Sequence, residues 1–279
     1  MAKGGYLCHQ GEFFKKDHQA FESNRAFLYG DGVFETMRAK GEHIHLLELH
    51  FERLRKSLDL IRIEYSPELF REINLAITEL IRRNNHEDGA RLRLTVYRMA
   101  EGKYLPKANR AAYLIQSEDL NHANYTLNQK GLRIELTDEF RVHPSPFTGL
   151  KTIGSQLYIQ AALECDRRGF DELLLLNHRG EVAEGTHANL FMRLGKEVIT
   201  PTLASGCLAG VMRAQVINLL QGSNYQLSQR ELRPEELMSA DEVFLTDSIS
   251  GVRWVGSYRQ KRYFNDLSKR LIELLNKEL

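Results

Sequence analysis

The chain has 279 residues, enough for one large domain or two moderate ones, and its 38 basic and 37 acidic side chains leave a formal net charge of +1. That balance gives no sign of a nucleic-acid or anionic-membrane partner, and no apolar run is long enough to span a bilayer. The first ten residues hold no signal segment, and three widely separated cysteines suit neither a disulfide framework nor a zinc site, so we expect a metal-free cytoplasmic protein.

The first half of the chain shows both helical and strand patterns. Apolar residues recur at a helical period over residues 47–61 and again over residues 69–80, which predicts two helices. Residues 91–98 (RLRLTVYR) alternate apolar and polar side chains as a half-buried strand does, and residues 111–115 predict another strand. The polar stretch 117–124 breaks the pattern and is the predicted linker.

The second half continues the mixture of helices and strands. In chain order we predict a strand at 131–137, a helix at 156–168, a strand at 172–176 with a turn at 177–180, strands at 189–193 and 197–199, a helix at 208–220, a short helix with Pro234 in its first turn, a strand at 242–246, and a final helix capped by Asn265. This pattern predicts two α/β domains, residues 1–120 and residues 121–279, with a ligand cleft between them.

Several short segments contain residue types that are common in enzyme sites. They are residues 29–36 (YGDGVFET), 50–54 (HFERL), 151–154 (KTIG), 184–191 (EGTHANLF), 208–213 (LAGVMR) and 246–250 (TDSIS). Each is weak alone, but in this order and at these separations they resemble the class IV aminotransferases, the family of branched-chain and D-amino-acid transaminases and of aminodeoxychorismate lyase. The resemblance runs from about residue 29 to residue 255 and implies the two-domain fold type IV, with pyridoxal phosphate bound between the domains.

The resemblance assigns the chemistry of the cofactor to three residues. Lys151, in the larger domain, would hold pyridoxal phosphate as a Schiff base and later carry the substrate proton, which requires an unprotonated amine. Glu184 would face the pyridine nitrogen and keep it protonated, so that the ring withdraws electrons, and Asn189 would support this segment.

The same resemblance implies a phosphate site. The forked donors of Arg53 would bind the cofactor phosphate. Val211 and Met212 follow Gly210 at the beginning of the predicted helix, where backbone N–H groups and the helix dipole favour an anion. The family usually has threonine at Met212, so here only the N–H remains, and Ser248 corresponds to a further phosphate contact.

Three features distinguish the chain from standard branched-chain enzymes. Thr36 stands where those enzymes usually have glycine and lyases commonly have threonine, and Gln156 stands where they often have tyrosine. The segment 97–104 is closer to the loop of the lyases, and its Arg98 would hold a substrate carboxylate as a bidentate pair. The resemblance also places Tyr29 and Phe34 against the substrate.

These features favour 4-amino-4-deoxychorismate lyase, which forms 4-aminobenzoate and pyruvate, with Lys151 and Thr36 as its catalytic residues. The alternative is an amino-acid aminotransferase of the branched-chain or D-amino-acid type, which needs the same lysine, glutamate and phosphate site. Arg253 would either bind a second substrate carboxylate or face solvent, and the sequence leaves both interpretations open. For His187, a local hydrogen bond is favoured over a substrate contact. The family implies a small-molecule amino substrate and a homodimer.

Overall fold

The computed structural model describes residues 5–15, 24–120, 122 and 124–279. Residues 121 and 123 of the predicted linker, and the first four residues of the N-terminal segment, lie outside the described residues. Contacts divide the chain into two compact units: Met1–Ala123 with Leu150–Gly154 and Leu279, and Asn124–Gly149 with Ser155–Glu278. The division lies close to the predicted boundary at residue 120. Lys151 lies in a segment that belongs to the first unit, whereas the sequence predicts it in the larger domain.

The first unit is built on a six-stranded sheet with the strand order β2-β1-β6-β5-β3-β4. Its elements are β1 (Tyr6–His9), β2 (Glu12–Lys15), α1 (Arg25–Tyr29), β3 (Gly32–Lys40), β4 (His43–Ile44), α2 (Leu47–Leu60), α3 (Leu69–Asn84), β5 (Ala90–Arg98) and β6 (Ala111–Asp119). The apolar faces of α2 and α3 pack on one side of the sheet and form a single core with its inward residues.

The second unit contains a larger sheet in which β12-β11-β10-β13-β14-β7-β8-β9 follow one another and β15 pairs with β14. Its elements are β7 (Leu132–Val142), α4 (Gln156–Arg168), β8 (Glu172–Asn177), β9 (Val182–Gly185), β10 (Asn189–Leu194), β11 (Glu197–Pro201), a 3-10 turn (Leu203–Ser205), α5 (Val211–Leu220), β12 (Gln226–Arg230), a 3-10 turn (Pro234–Met238), β13 (Glu242–Asp247), β14 (Gly251–Tyr258), β15 (Lys261–Arg262) and α6 (Asp266–Asn276). Separate apolar clusters lie in this unit.

The strands of the first unit differ from the prediction at several places: β1, β2 and β4 were not predicted, and β3 and β6 also differ. β6 continues through Asp119 and so includes the first residues of the predicted linker. At the polar end of this strand, Glu118 lies opposite Arg91 and pairs with it over 2.8 Å. β3 was not predicted as a strand, since the buried charge of Glu35 interrupts its apolar alternation.

In the second unit, α4 begins at the predicted residue, whereas the beginnings of α5 and α6 depend on details that the apolar period does not show. The predicted helix 208–220 begins only at Val211, because Gly210 is extended and occupies the cap position. Asn265 occupies the cap position of α6, as predicted, but its side chain makes no capping hydrogen bond. Glu242 on β13 does so instead, accepting from the N–H groups of Leu267 (3.0 Å) and Ser268 (2.7 Å). Within the described ranges, no helix has the length and apolar composition needed to cross a membrane.

Candidate active site

Lys151 lies on a short segment that pairs with the beginning of β3. The Phe34 N–H donates to the Lys151 carbonyl oxygen over 2.8 Å, and the Ile153 N–H donates to the Gly32 carbonyl oxygen over 3.1 Å. The lysine side chain is half-buried, and its amine lies 4.6 Å from the centre of the Phe34 ring. Two backbone hydrogen bonds therefore fix Lys151 at the edge of the sheet, unlike a solvated surface lysine.

Thr36 and Arg93 share a face of the sheet with Phe34 and Lys151. Thr36 pairs with Arg93 in the register of β3 and β5, and paired residues of antiparallel strands point to the same side. The Arg93 guanidinium lies 3.8 Å from the centre of the Phe34 ring. Within the part of the chain that is described, neither the Thr36 hydroxyl nor the Arg93 guanidinium forms a hydrogen bond. Sequence reasoning missed Arg93, although the alternation of residues 91–98 places it on the half-exposed face.

The guanidinium of Arg98 is buried and already bound within the first unit. It donates to Asp31 Oδ2 (3.0 Å), to Asn109 Oδ1 (2.5 Å) and to the carbonyl oxygens of Ile61 (2.7 Å) and Arg62 (2.9 Å). A substrate carboxylate would have to replace several of these partners. The substrate role of Arg98 stays a prediction, and these contacts disfavour it.

Tyr29 ends the short helix α1 and remains partly exposed, at 41% of its surface. Its ring centre lies 5.9 Å from that of Tyr104, and the Arg25 guanidinium lies 4.9 Å from its centre. These neighbours contact the ring but leave part of its surface exposed. The substrate contact predicted for Tyr29 is compatible with this exposure.

Arg53 lies on the other face of β3, in a buried network with Glu35 and His50. Arg53 donates to both carboxylate oxygens of Glu35, through Nε over 2.8 Å and through Nη2, and His50 Nδ1 lies 2.7 Å from Glu35 Oε2. Burial alone would raise the pKa of Glu35, but the charge of Arg53 and the hydrogen bonds from His50 and Arg53 outweigh it and lower the pKa to about 2. Glu35 is thus an ionised partner that holds the Arg53 fork in place.

Glu184 lies on β9 in the second unit and is 3% exposed. Its Oε1 accepts a hydrogen bond from the Tyr158 hydroxyl over 2.6 Å. Its Oε2 accepts from the Leu208 N–H over 2.9 Å and, at a longer 3.4 Å, from Asn189 Nδ2. A buried carboxylate with three donors is stabilised in its ionised form. Sequence reasoning noted Gln156 in place of a family tyrosine and missed Tyr158, two residues further along α4.

The beginning of α5 lies beside Asn189. A Cβ atom added to Gly210 would overlap the Asn189 side-chain oxygen, so only glycine allows this close approach. Val211 and Met212 then occupy the first turn, where backbone N–H groups have no partner within the helix. Ser248 lies in the turn after β13. The N–H groups of the next two residues, Ile249 and Ser250, donate to Asp247 Oδ1 over 2.8 Å each.

His187 and Arg253 both contact a buried carboxylate, that of Glu172. Arg253 Nη2 donates to Glu172 Oε2 over 2.9 Å, and His187 Nδ1 lies 3.3 Å from Glu172 Oε1. The hydrogen bond to Glu172 raises the pKa of His187. These pairings give both residues a local structural role.

The structure thus brings the predicted residues together in two sets. Within the first unit, Lys151, Phe34 and Thr36 share one face, and Arg53 lies on the opposite face of the same strand. Within the second unit, Asn189 links Glu184 to the beginning of α5, donating to the carbonyl oxygen of Leu208 over 2.9 Å. Among the described residues, no cluster of three or more His, Cys, Asp or Glu side chains is arranged to hold a metal ion.

Comparison with known proteins agrees with these features. The family model for amino-transferase class IV matches residues 32–258. The aminodeoxychorismate lyase of Bacillus subtilis (strain 168) is 30% identical over 240 residues, which cover 84% of this chain and 80% of the relative. The branched-chain-amino-acid aminotransferase of Pseudomonas aeruginosa is 27% identical over 293 residues, covering 98% and 94%.

A solved structure extends the similarity to the fold. The branched-chain amino acid aminotransferase from T.th., complexed with N-(5'-phosphopyridoxyl)-L-glutamate, matches with a TM-score of 0.86 and 26% identity, over 99% of this chain and 94% of that one. The chain therefore belongs to the class IV aminotransferase family, whose members are enzymes that depend on pyridoxal phosphate. The fold is the mixed α/β fold of that family, as predicted.

Proposed function

We propose that this protein uses pyridoxal phosphate to cleave 4-amino-4-deoxychorismate into 4-aminobenzoate and pyruvate. The observation that carries the proposal is the shared face of Lys151, Thr36 and Arg93, which offers an amine, a hydroxyl and a cation beside the Phe34 ring. A substrate with two carboxylates needs a fixed cation, and Arg93 supplies one. Relatives of 28% and 30% identity that are named aminodeoxychorismate lyase also support it.

The described residues fit pyridoxal phosphate on chemical grounds. Glu184 offers a buried carboxylate for a ring nitrogen, and the first turn of α5 offers backbone donors for a phosphate. The packing of Gly210 against Asn189 joins these two features. Next to Asn189, the buried Thr246 hydroxyl has no hydrogen-bond partner among the described residues and so remains available.

The proposed reaction assigns one task to each residue. Bound pyridoxal phosphate supplies an electron sink for the pair left when the substrate loses its α-proton. Lys151 holds the cofactor and, once released by the amino substrate, takes that proton at its Nζ. Thr36 positions the substrate so that this electron pair forms the new double bond of the ring while the bond from the neighbouring ring carbon to the enolpyruvyl oxygen breaks. The oxygen leaves with the electrons of that bond as enolpyruvate, which takes up a proton and becomes pyruvate. Val211, Met212 and Ser248 hold the phosphate, and Glu184 holds the ring. The family resemblance also assigns Arg53 to the phosphate, although its Nε and Nη2 already donate to Glu35 and it would have to reach the phosphate from that network.

The first experiment mixes purified, cofactor-loaded protein with 4-amino-4-deoxychorismate and no keto acid. Release of 4-aminobenzoate and pyruvate in equal amounts over many turnovers is the expected result. Lys151→Ala removes this activity, whereas Lys107→Ala, at an exposed surface lysine paired with Glu101, retains it. Borohydride reduction followed by peptide mass spectrometry tests the covalent link at Lys151 independently of substrate.

An amino-acid aminotransferase is the second candidate, because relatives named branched-chain-amino-acid aminotransferase and D-alanine aminotransferase align over most of the chain at 27% identity. Arg93 would then bind the side-chain carboxylate of a donor such as glutamate. Absence of both lyase products from a protein that still binds pyridoxal phosphate at Lys151 would exclude the lyase. Transfer of an amino group from a panel of L- and D-amino acids to a keto acid would establish the aminotransferase.

We also propose that the protein acts as a cytoplasmic homodimer on its small-molecule amino substrate. The family relationship supports an oligomer, and the three cysteines, all buried and free, suit a reducing compartment. Light scattering coupled to gel filtration should give twice the mass of the 32.2 kDa chain. A monomer at micromolar concentration would contradict the dimer.

A further inference from the structure

Tyr158 is joined to Glu184 by a short hydrogen bond from a well-packed ring. Its ring lies against the apolar cluster that contains Ala161, Leu175 and Ala183. From there its hydroxyl donates to Glu184 Oε1 over 2.6 Å, within the range of strong bonds between a hydroxyl and a carboxylate. Burial, followed by the charge of Glu184, strongly raises the pKa of Tyr158, so the phenol remains protonated and serves as a donor.

The backbone fixes where this donor can reach. Tyr158 belongs to the first turns of α4, which packs on β7 and β8, and β8 pairs with β9, with Leu175 opposite Glu184. The tyrosine and the carboxylate therefore sit on elements connected by sheet pairing and by a shared core. Both partners of this hydrogen bond therefore belong to the second unit.

We propose that Tyr158 is a positioning residue that sets the proton shared between Glu184 and the ring nitrogen of the cofactor. The inference rests on the proposed use of pyridoxal phosphate and does not depend on which reaction the protein catalyses. A hydroxyl that donates to a carboxylate stabilises its ionised form relative to its protonated form. With Tyr158 in place, the shared proton is held on the ring nitrogen, which is the state that withdraws electrons.

Loss of the hydroxyl should move the proton toward Glu184. A hydrogen bond to a charged group is strong enough to change such an equilibrium by about ten-fold or more. Tyr158→Phe keeps the ring and removes only the donor. Tyr263→Phe is the matched control, because the Tyr263 hydroxyl is also buried and donates to the Leu237 carbonyl oxygen over 2.8 Å, with no part in the Glu184 contacts.

The experiment loads each protein with pyridoxal phosphate labelled with nitrogen-15 in the ring and measures the chemical shift of that nitrogen. The wild type and Tyr263→Phe should give the protonated shift. Tyr158→Phe should move toward the shift of Glu184→Gln, which has no anion to hold the proton. In the Glu184→Gln background, Tyr158→Phe should cause no further change, as expected for two groups that act through one contact.

Each outcome has a separate meaning. A shift in Tyr158→Phe equal to that of the wild type would overturn the positioning role and leave the proposed function intact. A wild type that binds no pyridoxal phosphate would overturn both. If Tyr158→Phe does not load, 4-aminophenylalanine at position 158 gives a weaker donor of the same shape. It should then give an intermediate shift, and a wild-type shift there would also overturn the proposal.

Discussion

The buried network around Glu35 shows how one charged residue can be required inside a core. Glu35, His50 and Arg53 are 2%, 1% and 9% exposed, so little solvent screens their charges. Removing one member of a buried pair leaves the other charge without compensation, which costs about 3 to 5 kcal/mol. The network is therefore expected to contribute to stability as well as to hold Arg53 in place.

The first prediction concerns the pH dependence of this network. Since the pKa of Glu35 is lowered from 4.5 to about 2, its stabilising effect is fully present above about pH 4.5 and is lost as the pH falls toward 2. Glu35→Gln should therefore unfold at lower urea concentration than the wild type at pH 7, with a deficit that shrinks at pH 3. Far-UV circular dichroism measures both proteins, because the single tryptophan, Trp254, lies in the second unit and does not report on this core. A deficit that is equal at the two pH values would contradict the ionised pair.

The second prediction concerns the substrate cation. Arg93→Ala should raise the KM for a carboxylate substrate by about 10- to 100-fold, since a charge-assisted hydrogen bond contributes about 1.5 to 3 kcal/mol. Arg91→Ala is the control, because Arg91 lies on the same strand and face but already pairs with Glu118 over 2.8 Å. Steady-state kinetics with the substrate established for the protein provide the measurement. Equal effects of the two variants would rule out a specific role for Arg93.

At the scale of elements, regular hydrophobic periodicity predicted the helices well, whereas a strand that contains buried polar residues was missed. The helical patterns gave α2, α3 and α4 with their first residues as observed. Strand β3 was missed because Glu35 and Arg38 are buried charges, whose partners come from distant parts of the chain. Propensity and alternation depend only on the local sequence, whereas the burial of a charged residue depends on its tertiary contacts.

The third prediction separates the two possible caps of α6. Asn265 has the favoured residue type, but its side chain makes no capping bond, so Asn265→Ala should change the free energy of unfolding by less than about 0.5 kcal/mol. Glu242→Gln should lower it by about 1 to 3 kcal/mol, because the buried carboxylate accepts from two helix N–H groups and the Ser268 hydroxyl. Urea unfolding of both variants tests this contrast, and the reverse order would contradict it.

At the scale of the whole molecule, the sequence predicted two units but not the path of the chain between them. The first residues of the predicted linker form the polar end of β6. The return of Leu150–Gly154 to the first unit was not foreseen, since it depends on a bridge between Val33 and Thr152, far apart in sequence. The candidate residues were found by resemblance. Arg93 and Tyr158 emerged only from the contacts of their side chains.

The last prediction uses the separate cores of the two units. The proposed function assigns cofactor contacts to residues of each unit, so pyridoxal phosphate should stabilise both against unfolding. At a concentration 100 times its Kd, a ligand stabilises the state that binds it by about 2.7 kcal/mol. Hydrogen exchange should therefore slow at Leu94 in β5 and at Leu245 in β13, both fully buried. Pyridoxal, without the phosphate, should protect both less at the same concentration. Protection of one strand alone would show that the cofactor's binding energy comes from a single unit, and the assignment of Lys151 and Glu184 to one cofactor would fail.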